Sequence, residues 1–295
     1  MNPLRSATLV VSDAAAAASR YTDWLDYSVV EAGVVPADLA ASWGAPASAG
    51  RPYAVVRPAS GRSVELRFVE GDRVPAFQPL RSFGWAAIEL CVTDVHSAHA
   101  RLQGGPFEII GPPAENPGLP SIHPMQVRSP DGEIVYLTQI LQGGPGSGLP
   151  EAQSAVDVLF IAVLACADMA GSAEWFAQQL GLSMDAPFDI PYRMLNQAFE
   201  LPADHRHRLC TGWKTGHICI EFDQYPRGAV PRPQQPGQLP PGMAICSLVH
   251  PDLSAVPGPW LTAPAVRPGA IYEGRPVGVL RSPEGALVEL IQEAA

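Results

Sequence analysis

Carboxylates set inside apolar strands are where this chain could do chemistry. Glu65 lies in SVELRF, Glu89 in AIELCV, Glu221 in CIEFD and Glu289 in ALVELIQ. A buried carboxylate costs free energy unless it is paired or holds a proton. One that holds its proton near neutral pH is a competent general acid or base. For Glu89 the competing reading is a side chain on the exposed face of an antiparallel strand. For the other three it is a salt bridge to a neighbouring arginine.

The histidines offer less. His217 and Glu221 share a strand but sit four residues apart, roughly 13 Å at strand rise, too far for one ion to bridge. His205 and His207 in ADHRHRL read as a solvated hairpin, His96 and His99 as surface positions on a short helix, and His250 as a turn residue. His123 in PSIHPMQV and His217 in GHICIEF remain as ligand contacts. Trp213, Tyr192, Arg193 and Phe199 could supply an aromatic wall and a guanidinium for an anion; aromatic residues at strand spacing otherwise read as core.

The elements that must position these groups recur along the chain. RSPDGEIVYLTQ (Arg128 to Gln139) returns as RSPEGALVELIQ (Arg281 to Gln292), and self-similarity of this kind decides a fold before anything else does. Four segments open with an apolar strand ending near an Asp: Asp13, Asp94, Asp168 and Asp252. An Asp there can cap a following helix. Tyr21, Trp24 and Leu25 after Asp13, and Phe176 and Leu180 after Asp168, keep the spacing of one buried helical face. Pro257 and Pro259 forbid a long helix in the fourth segment. Strand runs separated by Gly turns follow, so each segment reads as a βαβββ unit. Aligning the units puts a glutamate at the closing strand in three (Glu65, Glu221, Glu289) and Tyr136 in the other.

Composition bounds the rest. At 295 residues the chain suits two units of roughly 150 residues. A net charge of −10 argues against a nucleic-acid surface, which needs clustered Lys and Arg. The apolar run VDVLFIAVLACADMA is interrupted by Asp157 and Asp168 and is too short for a membrane span. The start MNPLRSATLVV shows no secretory pattern, and five cysteines without a CxxC pair read as reduced, buried thiols. A cytoplasmic protein is expected.

The four-unit grammar, with its strand–Asp–helix openings and SPDGxxVYL and SPEGxxVEL hairpins, resembles the vicinal oxygen chelate superfamily, which includes glyoxalase I, bleomycin-resistance proteins and extradiol dioxygenases. The resemblance runs from about Ala7 to Gln292. It implies an α+β fold of four βαβββ modules in two tandem glyoxalase-like halves with curved, mixed, mostly antiparallel sheets. The halves would be residues 1–141 and 155–295, joined by the Gly/Pro/Ser-rich linker 142–154. Two modules of such proteins pair into a cup that encloses a small molecule. Glu65 would then face Tyr136 across one cup, and Glu221 would face Glu289 across the other. Facing carboxylates share a proton and make an acid–base pair.

Metal ligands in the family come from the last strand and from the first, usually a His seven residues before the Asp. The first-strand positions here are Ser6, Ala87, Ile161 and Ile245, none of them a ligand. A divalent ion wants three or four protein donors, so no cofactor is expected, with a divalent metal left open. The resemblance thus points to lyase or isomerase chemistry by Glu65, Glu89, Glu221 and Glu289, with Tyr136, His123, His217, Trp213, Tyr192 and Arg193 binding an aromatic or polyketide-like substrate. The alternatives are a sequestering, resistance-type protein and a dioxygenase with atypical metal ligands. Neither nucleic acid nor membrane is expected as partner, and the chain would be a monomer or homodimer.

Overall fold

The structure is a computed structural model, and it describes residues 2–115, 118–143 and 146–294. Module one runs β1 (Leu4–Val11), α1 (Ala14–Trp24), β2 (Tyr27–Val34), α2 (Ala37–Ser42), β3 (Pro52–Pro58) and β4 (Glu65–Glu70). Module two is β5 (Gly84–Val92), α3 (Val95–Leu102), β6 (Glu108–Gly111), β7 (Ile122–Arg128) and β8 (Ile134–Ile140). Module three is β9 (Val156–Cys166), α4 (Met169–Leu180), β10 (Ser183–Met184), β11 (Phe188–Pro191), α5 (Arg193–Ala198), β12 (Arg206–Lys214) and β13 (His217–Gln224). Module four has β14 (Gly242–His250), β15 (Ala265–Arg267), β16 (Arg275–Arg281) and β17 (Leu287–Gln292), with a single 3-10 turn, Leu253–Ala255, where the others have a helix.

Each module opens as its sequence dictates. Asp13, Asp94, Asp168 and Asp252 accept from Ala16, His96, Gly171 and Ser254 backbone N–H groups, which satisfies donors a helix start leaves free. Helix α1 turns Ala14, Ala17, Ala18 and Tyr21 inward at helical spacing. A second device repeats four times. The last strand of each module ends in a side-chain oxygen that accepts from the first N–H after the cap: Glu70 from Ala14, Gln139 from Val95, Gln224 from Met169 and Gln292 from Leu253. The two long hairpins turn at Gly132 and Gly285, both at positive φ, as a tight turn requires.

The modules pair across the sequence. Strands of modules one and four form an eight-stranded sheet in the order β15-β16-β17-β14-β1-β4-β3-β2, and those of modules two and three a nine-stranded sheet, β10-β12-β13-β9-β5-β8-β7-β6, with β11 beside β12. In each sheet two first strands meet antiparallel at the centre, β1 with β14 and β5 with β9, and each runs parallel to the last strand of its own module. The expected faces of the cups are therefore corrected: Glu65 does not share a sheet with Tyr136, nor Glu221 with Glu289. The halves 1–141 and 155–295 each contribute one module to each sheet: the edge of β5 away from β8 is taken by β9, the next first strand in the chain. The sheets lock together through Trp85 Nε1 donating to Leu287 O at 2.8 Å and Tyr27 OH to Asp157 O at 2.7 Å. All five cysteines are free and buried. No helix among the described residues is long and apolar enough to cross a membrane.

Candidate functional site: one open cup and one closed

Register fixes which residues occupy equivalent places. Counting three back from Glu70, Gln139, Gln224 and Gln292, the last-strand positions are Arg67, Tyr136, Glu221 and Glu289, and their parallel neighbours on the first strands are Thr8, Glu89, Val163 and Ser247. This corrects the alignment read from sequence. Glu65 sits one pleat away from the closing position, which belongs to Arg67, so only two closing positions carry glutamate. These first-strand neighbours lie five residues before the Asp, one pleat from the seven-back positions Ser6, Ala87, Ile161 and Ile245, and Glu89 is one of them.

The cup of modules two and three is open. It holds a cavity of about 410 Å³ whose walls include Glu89, Tyr136, Phe160, Ile161, Tyr192 and Glu221. Its lining is mainly apolar, and no His or Cys is among the lining residues. Glu89 is 4% exposed, opposite Tyr136 on β8 and Ile161 on β9, and accepts from Thr138 Oγ1 at 2.5 Å. Across the cup, Tyr192 OH donates to Glu221 Oε1 at 3.1 Å, and Tyr136 OH lies 2.6 Å from Tyr192 OH. With the Tyr192 proton committed to Glu221, Tyr136 is the donor of that pair. Asp223, two residues along β13 and so on the face of Glu221, is fully buried and shares a hydrogen bond with it, while its Oδ1 has no partner.

These three carboxyl groups lack a counter-ion. None of the ion pairs among the described residues reaches Glu89, Glu221 or Asp223. Burial, reinforced by the charge of Glu221 and only partly offset by Thr138, pushes Glu89 up to about 8. Burial raises Glu221 too, against the opposing hydrogen bonds from Asp223 and Tyr192. Asp223 is raised well above the carboxylate range by burial and then by Glu221. The group therefore holds protons at neutral pH, since like charges a few ångströms apart in an apolar wall do not all ionise.

In the cup of modules one and four, the closed cup, side chains cover the closing glutamate: a cavity of about 320 Å³ remains, lined by Trp43, Tyr53, Arg67 and Tyr272 but not by Glu289. Glu289 accepts from Ser247 Oγ at 2.6 Å, Tyr272 OH at 2.8 Å and Trp43 Nε1 at 3.1 Å, with the Arg67 guanidinium 3.7 Å away. Arg67 donates to Thr8 Oγ1 and Tyr272 OH and lies over the Trp43 ring, 4.6 Å from its centroid. Glu65 is paired with Arg57 at 2.7 Å and Arg5 at 3.6 Å. The salt-bridge reading of Glu65 and Glu289 thus describes both.

Other sequence candidates divide. Tyr136, Tyr192 and Arg193 line the open cup, Arg193 from its exposed rim. His123 is opposite Gln139 on the outer face of β7, its ring 5.1 Å from that of His96, because its neighbours Ile122 and Pro124 take the inward places. His217 also leaves the cup: β12 pairs Gly212 with Ile220 and Trp213 with Ile218, and this bulge at Cys219 turns Ile218 inward instead. Trp213 packs outside the cavity, donating to Asp185 at 2.6 Å. His207 is buried rather than solvated, 2.6 Å from Asn196 Oδ1, and burial lowers it to about 4. Sequence reasoning passed over Asp223, Thr138 and Arg67. The first was legible, since CIEFD puts Asp223 two residues past Glu221.

The donor set does not fit the metal centre that the fold family implies. The last-strand places and the first-strand places seven before the Asp hold Tyr136, Ala87, Glu221 and Ile161 in one cup, with Glu89 alongside, and Arg67, Ser6, Glu289 and Ile245 in the other. The first gives two carboxylates and a phenol without imidazole, and the second puts a guanidinium where a cation would sit.

No family model matches the sequence, and no curated protein does. Solved structures do resemble the chain. Glyoxalase I from Zea mays is 15% identical, with 98% of this chain and 92% of that one covered at a TM-score of 0.63. A putative dioxygenase from Bacillus subtilis is 13% identical, with 100% and 86% covered at 0.65. At such identities the likeness is one of fold. The chain has the fold of the vicinal oxygen chelate superfamily, α+β, with all four modules on one polypeptide.

Proposed function

We propose that the open cup performs proton-transfer chemistry, of the lyase or isomerase kind, on a small aromatic or polyketide-like molecule. The observation that carries this reading is Glu89: a carboxyl in a 410 Å³ apolar cup, without a counter-ion, whose proton affinity lies near neutrality at about 8. A general base or acid works best in that range. Glu89 removes a proton from carbon next to a carbonyl and returns it at another position, which is isomerisation. Alternatively Glu89 removes that proton while Glu221 delivers its own to an oxygen departing from the next carbon, so that the C–H pair becomes the double bond and the oxygen leaves protonated, which is elimination. Tyr192, held between Tyr136 and Glu221, becomes a donor to the oxygen on which charge develops when its O–H turns from Glu221 to the substrate. Arg193 contacts polar groups of the substrate at the rim.

The test is exchange of solvent deuterium into a panel of aryl ketones, followed by NMR. Glu89→Gln should slow exchange at least about 100-fold, the usual worth of a positioned base, with binding retained. Unchanged exchange excludes Glu89. Elemental analysis of the purified protein checks the donor-set argument, and a stoichiometric divalent ion would overturn it.

A second reading, a protein that sequesters its ligand without turning it over, is favoured by a cavity whose lining has no imidazole or thiol. Tight binding with no exchange at any pH would select it.

A further inference from the structure

The two cups differ in who supplies the positive charge. In the closed cup, Arg67 from the last strand of module one reaches Glu289, its side chain held by Thr8 and Tyr272 and its guanidinium 4.6 Å from the centroid of Trp43 and 5.5 Å from that of Tyr272. That cup carries a cation in an aromatic setting against a carboxylate. In the open cup the two closing positions hold Tyr136 and Glu221, and the repeat of RSPDGEIVYLTQ as RSPEGALVELIQ matches Tyr136 to Glu289 and so Glu221 to Arg67. The cation is gone, a carboxyl (Glu89) stands beside a closing residue where the closed cup has the hydroxyls of Thr8 and Ser247, and Asp223 stands behind Glu221. Rings are present, Tyr136 and Tyr192 lying edge to face with centroids 6.5 Å apart. The charged residues at the mouth are Arg193 and Glu115, both exposed.

We propose that the open cup takes a ligand with a positive charge on an aromatic or apolar frame, the charge seated between Glu89 and Glu221 against the tyrosine rings. The ligand thus supplies the positive charge that Arg67 supplies in the other cup. This rests on the reading of the open cup as the ligand site. An anionic ligand would oppose ionisation of any of the three carboxyl groups, and a neutral one would leave them holding their protons. A cation also acts on Glu89. By favouring its ionised form, the bound charge drives off the proton and generates the carboxylate base in the presence of ligand.

The experiment compares three probes of one shape by calorimetry at pH 7: para-trimethylammoniobenzyl alcohol, its neutral isostere para-tert-butylbenzyl alcohol, and para-tert-butylbenzoate. The cation should bind at least about tenfold more tightly than the neutral isostere, with the benzoate weakest. Runs in two buffers of different ionisation enthalpy should show proton release on binding the cation alone. Glu221→Gln should reduce the cation preference to about threefold or less. Tyr136→Arg, which installs the closed cup's own cation, should abolish binding of the cationic probe while its melting transition persists, and it poses the same question should Glu221→Gln fail to fold. Equal binding of the neutral probe, or a cation preference that survives Tyr136→Arg, overturns the proposal. Charge-blind binding with Glu89-dependent exchange intact would remove this inference and leave the acid–base reading. Cation-selective binding without exchange would do the reverse.

Discussion

The closed cup and the open cup are built from corresponding strands, yet only in the open one does the closing glutamate line the cavity. Both carry a glutamate at the closing position of one module, Glu289 and Glu221. What differs is the neighbour: Glu289 has Arg67, Trp43, Tyr272 and Ser247 around it, whereas Glu221 has Tyr192, Asp223 and a cavity. A carboxylate in this fold is therefore not a functional residue by position alone. Its partners decide whether it locks the sheet or faces substrate.

The largest effect should come from breaking the lock. Arg67→Met strands Glu289 in a fully buried place without a cation, and removing one partner of such a pair costs about 3–5 kcal/mol. Urea unfolding should show that loss. Glu221→Gln, at the equivalent place in the open cup, should cost under about 1 kcal/mol or stabilise, because it relieves repulsion rather than orphaning a charge. Comparable losses from the two variants would erase the distinction between the cups.

Next in size is the pH dependence of stability. Glu89 is pushed up to about 8 from the ordinary 4.5. Between those values the folded protein keeps a proton that the unfolded chain has released. Its contribution is therefore fully present below about pH 4.5 and is lost as pH rises toward 8, with a slope of up to about 1.4 kcal/mol per pH unit for one proton. Glu221 and Asp223 are shifted the same way and add to the trend. The difference between native protein and Glu89→Gln isolates the Glu89 part. It should grow in favour of the variant as pH rises from 5 to 8. A flat difference would mean that Glu89 ionises normally and that the open cup is wetter than its walls imply.

How far this was legible in sequence follows from what kind of signal each feature leaves. The strand–Asp–helix openings and Gly hairpins are local, and they reported four modules and their element types. Pairing of modules is non-local: nothing within ALVELIQ says that β17 will join the sheet of β1 rather than that of β9. The misplaced Glu65 has a sharper cause. Alignment on the nearest glutamate in SVELRFVE favoured Glu65, but Glu70 is the residue that binds the α1 N-terminus, and anchoring there would have put Arg67 in the closing place. His217 was lost to a single bulge at Cys219, which no periodicity reveals. Glu89 was legible because a lone carboxylate in AIELCV had to be paired or protonated, whichever module it joined.

The smallest effect is the most specific. Thr138 donates to Glu89 at 2.5 Å and is the one hydrogen bond that favours its ionised form. Its analogue in the closed cup is Ser247 Oγ donating to Glu289, where Arg67 already supplies charge. Thr138→Val keeps the shape and removes the donor, so Glu89 should be pushed further up, by about one unit or less, the scale of one net hydrogen bond. The limb of the exchange-rate profile that reports Glu89 should move to higher pH by that amount, while the cation preference persists because the carboxyl remains. A limb that moves to lower pH would mean that Thr138 holds the protonated form instead, and the proton would then have to be placed on Glu221 or Asp223.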